Sequence, residues 1–126
     1  MFRVVLPALA ALVLSAPAVA TEILKISKDT GAKWAVGDRS SKVVTSDGRL
    51  GITMTVKTSP NTRQSYYVFA FETQTGMPVN FSARVADRPP QRTHFAARAE
   101  PAKPYMWGEH LPAELDAVFV MYRPSK

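Results

Sequence analysis

Hydrophobic residues alternate with polar or small ones along residues 50–57, and this alternation constrains the fold more than any other feature of the sequence. Leu50, Ile52, Met54 and Val56 fall on one side of an extended chain, with the intervening residues on the other. Such a pattern predicts a half-buried strand of an antiparallel sheet. Asp47 and Gly48 precede it, and Asp-Gly tolerates the positive φ of a tight turn. We therefore predict a hairpin between residues 42–45 and 50–57.

Several other segments show the same period of two. Residues 66–72 are apolar on both sides, which is typical of a strand in the middle of a sheet. Residues 79–86 alternate again, and we predict that they form a hairpin with 66–72 through a longer loop. Pro89 and Pro90 then interrupt regular pairing, because proline lacks the N–H donor. The remaining predicted strands are 23–28, 33–36, 93–99 and 117–123.

Seven or eight short strands with turn signals between them, and no amphipathic helix, predict an all-β fold. The architecture expected from them is a small antiparallel β-sandwich of the immunoglobulin-like kind, and a small β-barrel is the alternative. The chain contains no cysteine, so the Cys-Trp-Cys pattern of true immunoglobulin domains is absent. Packing and strand pairing, rather than disulfides, must hold such a domain together.

The first twenty residues predict export. Arg3 precedes an apolar run at 4–14, and Ala18 and Ala20 form the small-residue pair of a cleavage site. The run is shorter than the ~20 residues of a spanning helix. We therefore predict a signal peptide at 1–20, cleaved after Ala20, and a single periplasmic or secreted domain at 21–126 that does not span the membrane. The lack of cysteine favours a bacterial periplasm.

The chain is basic, with sixteen Lys and Arg against ten Asp and Glu and a formal charge of +6. This balance favours contact with an anionic surface such as lipid headgroups, while nucleic acid is not expected outside the cytoplasm. One cluster brackets the two prolines and would suit bidentate binding of phosphate or carboxylate: Arg84, Arg88, Arg92 and Arg98. The alternative is a solvated strand edge whose charges discourage association between copies.

Residues 100–116 show the longest stretch without a strand pattern, and we predict a loop there. Structureless loops beyond about 12 residues are often functional. Tyr105 and Trp107 offer large contact areas at low entropic cost, and with His110 they make a candidate partner-binding site. The alternative is that the two rings fold back over an open end of the sandwich as part of its core.

A metal site is a second hypothesis for the same region. His94, Met106 and His110 carry imidazole and thioether groups, which together suit Cu(I) in an exported chain without thiols. The competing interpretation is that methionine serves packing, as it does in most cores. We therefore predict no cofactor, with copper as the alternative.

Catalysis has no support in the sequence. The patterns G-x-S-x-G, H-E-x-x-H and G-x-x-x-x-G-K-[ST] are absent, and only two histidines occur. We therefore predict a non-enzymatic binding domain of the bacterial cell envelope. It would recognise another envelope protein through its strand edges and the 100–116 loop, for example by strand addition. Copper binding and anionic-ligand binding by the arginines are the alternative functions.

Overall fold

Two antiparallel four-stranded sheets form the fold, which is seen here in a computed structural model describing residues 21–28, 30–58, 65–90 and 92–125. The predicted signal peptide, residues 1–20, lies outside these residues. Within them there is no helix, and the all-β prediction is confirmed. The strands are β1 Glu22–Ser27, β2 Val43–Val44, β3 Leu50–Thr58, β4 Ser65–Thr73, β5 Val79–Ala86, β6 Phe95–Ala99, β7 Tyr105–His110 and β8 Ala117–Pro124.

The strand orders are β1-β8-β5-β6 in the first sheet and β2-β3-β4-β7 in the second. This arrangement is consistent with a small β-sandwich, while the narrower immunoglobulin-like assignment stays a prediction. Seven of the predicted strands match β1 to β6 and β8 to within two residues at each end. The alternation along 50–57 is confirmed, because every second residue of β3 from Leu50 to Val56 is buried.

The predicted hairpin between β2 and β3 is also confirmed. Val43 pairs with Ile52, and the turn between the strands carries Gly48 at a φ of 73°, in the left-handed region that favours glycine. The Gly48 N–H donates to the carbonyl of Thr45 at 2.8 Å. The short turn therefore sets the register of the pair, as the Asp-Gly sequence predicts.

The carboxylate of Asp47 ties this turn to the opposite sheet. It accepts hydrogen bonds from the Thr45 hydroxyl at 2.6 Å and the Arg49 backbone N–H at 3.0 Å. It also accepts one from the Tyr122 hydroxyl of β8 at 2.8 Å. Burial by itself would raise the pKa of the Asp47 carboxyl, but these hydrogen bonds outweigh it and hold the pKa below its usual value of 3.8.

This network predicts a stability that depends on pH. The folded-state pKa of Asp47 is below its unfolded-state pKa. The stabilisation that its carboxylate contributes is therefore complete above pH ~4, and it is lost as the pH falls through the folded-state pKa. Asp47→Asn should cost about 1 kcal/mol near neutral pH, a figure reduced for the exposure of the side chain. Urea unfolding of both proteins should show this difference shrinking below pH ~4. A difference that is constant with pH would contradict the prediction.

The predicted hairpin between residues 66–72 and 79–86 is wrong. β4 and β5 belong to different sheets, so residues 74–78 cross from one sheet to the other. Both strands carry large rings on one face, and opposite sheets allow those faces to pack against each other. Phe71 of β4 and Phe81 of β5 meet in this way, with ring centroids 5.1 Å apart.

The predicted strand at 33–36 does not form either, because Trp34 is held by burial rather than by strand pairing. The Trp34 side chain is 2% exposed, and its Nε1–H donates to the Ile26 carbonyl at 3.3 Å. The Trp34 backbone N–H donates to the Leu115 carbonyl at 2.9 Å. The indole therefore fills the end of the sandwich where β1 ends and β8 begins.

Candidate functional site

The segment 100–116 contains strand β7, so its prediction as a loop is wrong. Six residues pair with β4, from Tyr105 opposite Phe71 to His110 opposite Tyr66. Neither face of β7 is uniformly apolar or polar, which explains why the hydropathy pattern missed it. One sequence signal did point to this strand. Pro104 and Pro112 lie on either side of it, and prolines commonly mark the ends of a strand.

Tyr105 and Trp107 lie on the inward face of β7 and help to close one side of the sandwich. The Trp107 ring stacks on Phe95 of β6, with centroids 3.9 Å apart and planes at 14°. Its Nε1–H donates to Glu109 Oε1 at 2.9 Å. The Tyr105 ring lies 5.9 Å from the same Phe95 ring. Both rings pack against the core, which is the placement that the alternative interpretation of the sequence expected.

Met106, Gly108 and His110 occupy the outward face of β7. Met106 is 56% exposed. A Cβ at Gly108 would fall on the ring of Tyr66, which crosses this position from β4 and lies 4.9 Å from the His110 ring. Glycine at 108 leaves room for this ring, and the tyrosine covers backbone that a side chain would otherwise cover.

The hydrogen-bond pattern shows which backbone groups of β7 point away from β4. In an antiparallel pair, every second residue of a strand hydrogen-bonds to a given neighbour. The Gln74 N–H donates to the Arg49 carbonyl, so the even-numbered residues of β4 hydrogen-bond to β3 and the odd-numbered ones to β7. Tyr105, Trp107 and Glu109 are opposite the odd-numbered residues. The N–H and C=O groups of Met106, Gly108 and His110 therefore point away from β4, in the plane of the sheet. We call this row of backbone groups the β7 edge.

β7 is less protected than the other terminal strands of the described sheets. β2 has only two residues, while β1 carries Lys25 and β6 carries Arg98, both exposed. Short strands and charged side chains are the usual means of blocking pairing between edges. β7 has six residues without lysine, arginine or proline, and its one carboxylate, Glu109, is turned inward to Trp107. The β7 edge is therefore the edge best suited to accept another strand.

The structure separates the three candidate copper ligands. His94 lies just before β6 of the first sheet, where its Nδ1 is 3.0 Å from the Arg92 carbonyl oxygen. Met106 and His110 are on the second sheet, four residues apart along one strand, which corresponds to about 13 Å. The part of the chain that the structure describes contains no group of three His, Cys, Asp or Glu side chains that could hold a metal ion.

The four candidate anion-binding arginines do not form one cluster. Arg84 lies on the outward face of β5, and Arg98 lies on β6 opposite Asn80, which is four residues before Arg84. Arg98 donates to Glu100 at 2.6 Å and to Asn80 at 3.2 Å. Arg88 and Arg92 belong to the connection between β5 and β6. The Nε of Arg84 is buried without a hydrogen-bond partner in the described structure.

Comparison of the chain with protein-family profiles, with curated proteins and with solved structures found no match. No helix long and apolar enough to cross a bilayer occurs among the described residues.

Proposed function

We propose that this domain binds another protein of the bacterial cell envelope by strand addition at the β7 edge, without catalysing a reaction. The observation that carries the proposal is the row of backbone groups at Met106, Gly108 and His110 that point away from β4. They belong to a six-residue strand that, among the described residues, is paired on one side only. The domain would do so in the periplasm, in keeping with the export signal expected at residues 1–20.

Strand addition would obtain its affinity from the backbone and its specificity from side chains. An added strand exchanges N–H and C=O bonds with the three outward residues, irrespective of its own sequence. Its alternate side chains would then lie beside those of β7. Met106 is exposed next to Ala70 of β4, which favours an apolar side chain in the partner at that position. Tyr105 and Trp107 support the strand from inside rather than contact the partner.

Replacing Met106 by proline tests the proposal, because the outward N–H can be removed without losing a bond to β4. We expect Met106→Pro to weaken partner binding about ten-fold or more, the effect of losing ~1.4 kcal/mol. Met106→Ala retains the N–H and should weaken binding less. The measurement is quantitative mass spectrometry of proteins captured from native envelope extract, with thermal melts to establish that each variant is folded.

Ala96→Pro provides the matched control on the other sheet. The Ser125 N–H donates to the Asn80 carbonyl, so the even-numbered residues of β5 hydrogen-bond to β8 and the odd-numbered ones to β6. Ala96 is opposite the even-numbered Ser82, and its N–H therefore points away from β5. Proline there should leave capture unchanged. Equal losses from Met106→Pro and Ala96→Pro, or full capture by Met106→Pro, would contradict binding at the β7 edge.

A further inference from the structure

We infer that the outward face of the sheet β1-β8-β5-β6 binds the surface of an anionic phospholipid bilayer, independently of the β7 edge. Each of its four strands presents one basic side chain outwards. We call these side chains the basic face: Lys25 on β1, Arg123 on β8, Arg84 on β5 and Arg98 on β6. They alternate along their strands with residues whose side chains are buried between the sheets.

Register places these charges close together on one surface. Arg84 is opposite Met121, and Arg123, two residues further along β8, is opposite Ser82. Lys25 lies across from Phe119 on the other side of β8. At the usual strand spacings, neighbouring charges of the basic face are about 8–14 Å apart. Such a spread fits an array of headgroup phosphates better than it fits one small anion.

No carboxylate balances this surface within its own strands. The one acidic residue in β1, β5, β6 and β8 is Glu22, whose carboxylate accepts bonds from Ser46 at the rim. Glu100, just after β6, forms an ion pair with Arg98 at 2.6 Å. Among the described residues Lys25, Arg84 and Arg123 have no acidic partner within ion-pair distance. Lys25 and Arg123 are exposed and therefore available to an external anion, while Arg84 is partly buried.

Apolar side chains lie between the basic ones. Ile23 is 49% exposed and lies in the same register row as Met121 and Arg84. Phe119, next to Lys25, is partly exposed. A surface that combines lysine and arginine with exposed apolar groups is typical of proteins that bind at the headgroup region, where cations contact phosphate and apolar groups enter the acyl boundary.

The strands of the opposite sheet present one basic side chain outwards, Lys57 on β3, against four on the basic face. Thr53 and Thr55 of β3 are uncharged, and Lys42, which precedes β2, forms an ion pair with Glu72 at 3.4 Å. A charged plane would therefore orient the domain with the first sheet towards it. The β7 edge belongs to the second sheet and would stay accessible.

Vesicle sedimentation tests this inference with the full chain, so that residues 1–20 are common to every variant. The vesicles are phosphatidylcholine alone, or phosphatidylcholine with phosphatidylglycerol as one third of the lipid. We expect binding to the mixed vesicles only, and we expect it to fall as salt rises from about 0.1 M to about 0.5 M. Lys25→Gln with Arg123→Gln should weaken binding ~25-fold, at about five-fold per charge.

Lys42→Gln with Lys57→Gln is the matched control, because it removes the same charge from the opposite side of the sandwich. It should weaken binding less than about two-fold, and both double variants should melt like the parent protein. Equal binding to the two kinds of vesicle, equal losses in the two double variants, or no binding would overturn the inference. Full competition by millimolar inorganic phosphate, or tighter binding to duplex DNA than to the mixed vesicles, would also overturn it.

Discussion

Ile52→Asp is expected to unfold the domain. Ile52 is 0% exposed on the inward face of β3, opposite Phe71 of β4 and Val43 of β2. A carboxylate at this position would have no cation among these neighbours and would lose its hydration. Burying an unpaired charge costs several kcal/mol, a large share of the ~5–15 kcal/mol that stabilises a typical domain. Far-UV circular dichroism and urea unfolding measure the loss.

Thr53→Asp is the matched control for this change. Thr53 is the next residue of the same strand, but it lies on the outward face and is only partly buried. A carboxylate there keeps much of its hydration, so the loss should be about 1 kcal/mol or less. Similar losses at 52 and 53 would mean that β3 is buried on both faces, and would contradict the sandwich described above.

Trp34→Ala is expected to cost ~3–5 kcal/mol, the usual range for emptying a buried aromatic site. The substitution removes the side chain that fills the end of the sandwich, together with its hydrogen bond to the Ile26 carbonyl. Trp34→Phe should cost less, since most of the volume is retained and only the Nε1–H bond is lost. Thermal and urea unfolding would measure both effects.

Val36→Ala tests whether the effect belongs to the indole or to the whole segment. Val36 is in the same irregular stretch but is 57% exposed, so its truncation should change the free energy of unfolding by less than ~0.5 kcal/mol. A loss at Val36 as large as that at Trp34 would show that the segment stabilises the fold through its backbone.

Period-two alternation predicted the strands that separate apolar from polar residues on their two faces. β3 and β5 are examples, because burial of one face imposes that separation. The same rule failed for β7. Its inward face includes Glu109, held by Trp107, and its outward face includes Met106 and a glycine covered by Tyr66. Glu109 is satisfied by a hydrogen bond from a side chain two residues away, and Gly108 is covered by a ring from another strand. The alternation of apolar and polar residues reports neither contact.

Topology was less accessible to sequence reasoning than strand location. The Asp-Gly turn specifies its hairpin locally, whereas the connection at 74–78 has no feature that distinguishes a hairpin from a crossing between sheets. In the structure Phe71 and Phe81 pack against each other from opposite sheets, a contact that no local pattern specifies. For the same reason, the sequence could nominate His94, Met106 and His110 as a group. It could not show that His94 precedes a strand of one sheet while Met106 and His110 lie on the other.

The position of β8 has a consequence for how the chain is made. β8 lies between β1 and β5 and provides both with a hydrogen-bonded neighbour, yet it follows every other strand along the chain. Until β8 is made, β1 has no hydrogen-bonded neighbour and β5 can pair only with β6, and closing the β1–β8 pair spans almost the whole sequence. A ribosome that stops before codon 117 would release a chain with two additional open edges. Such a product should aggregate or be degraded rather than persist as a smaller functional domain.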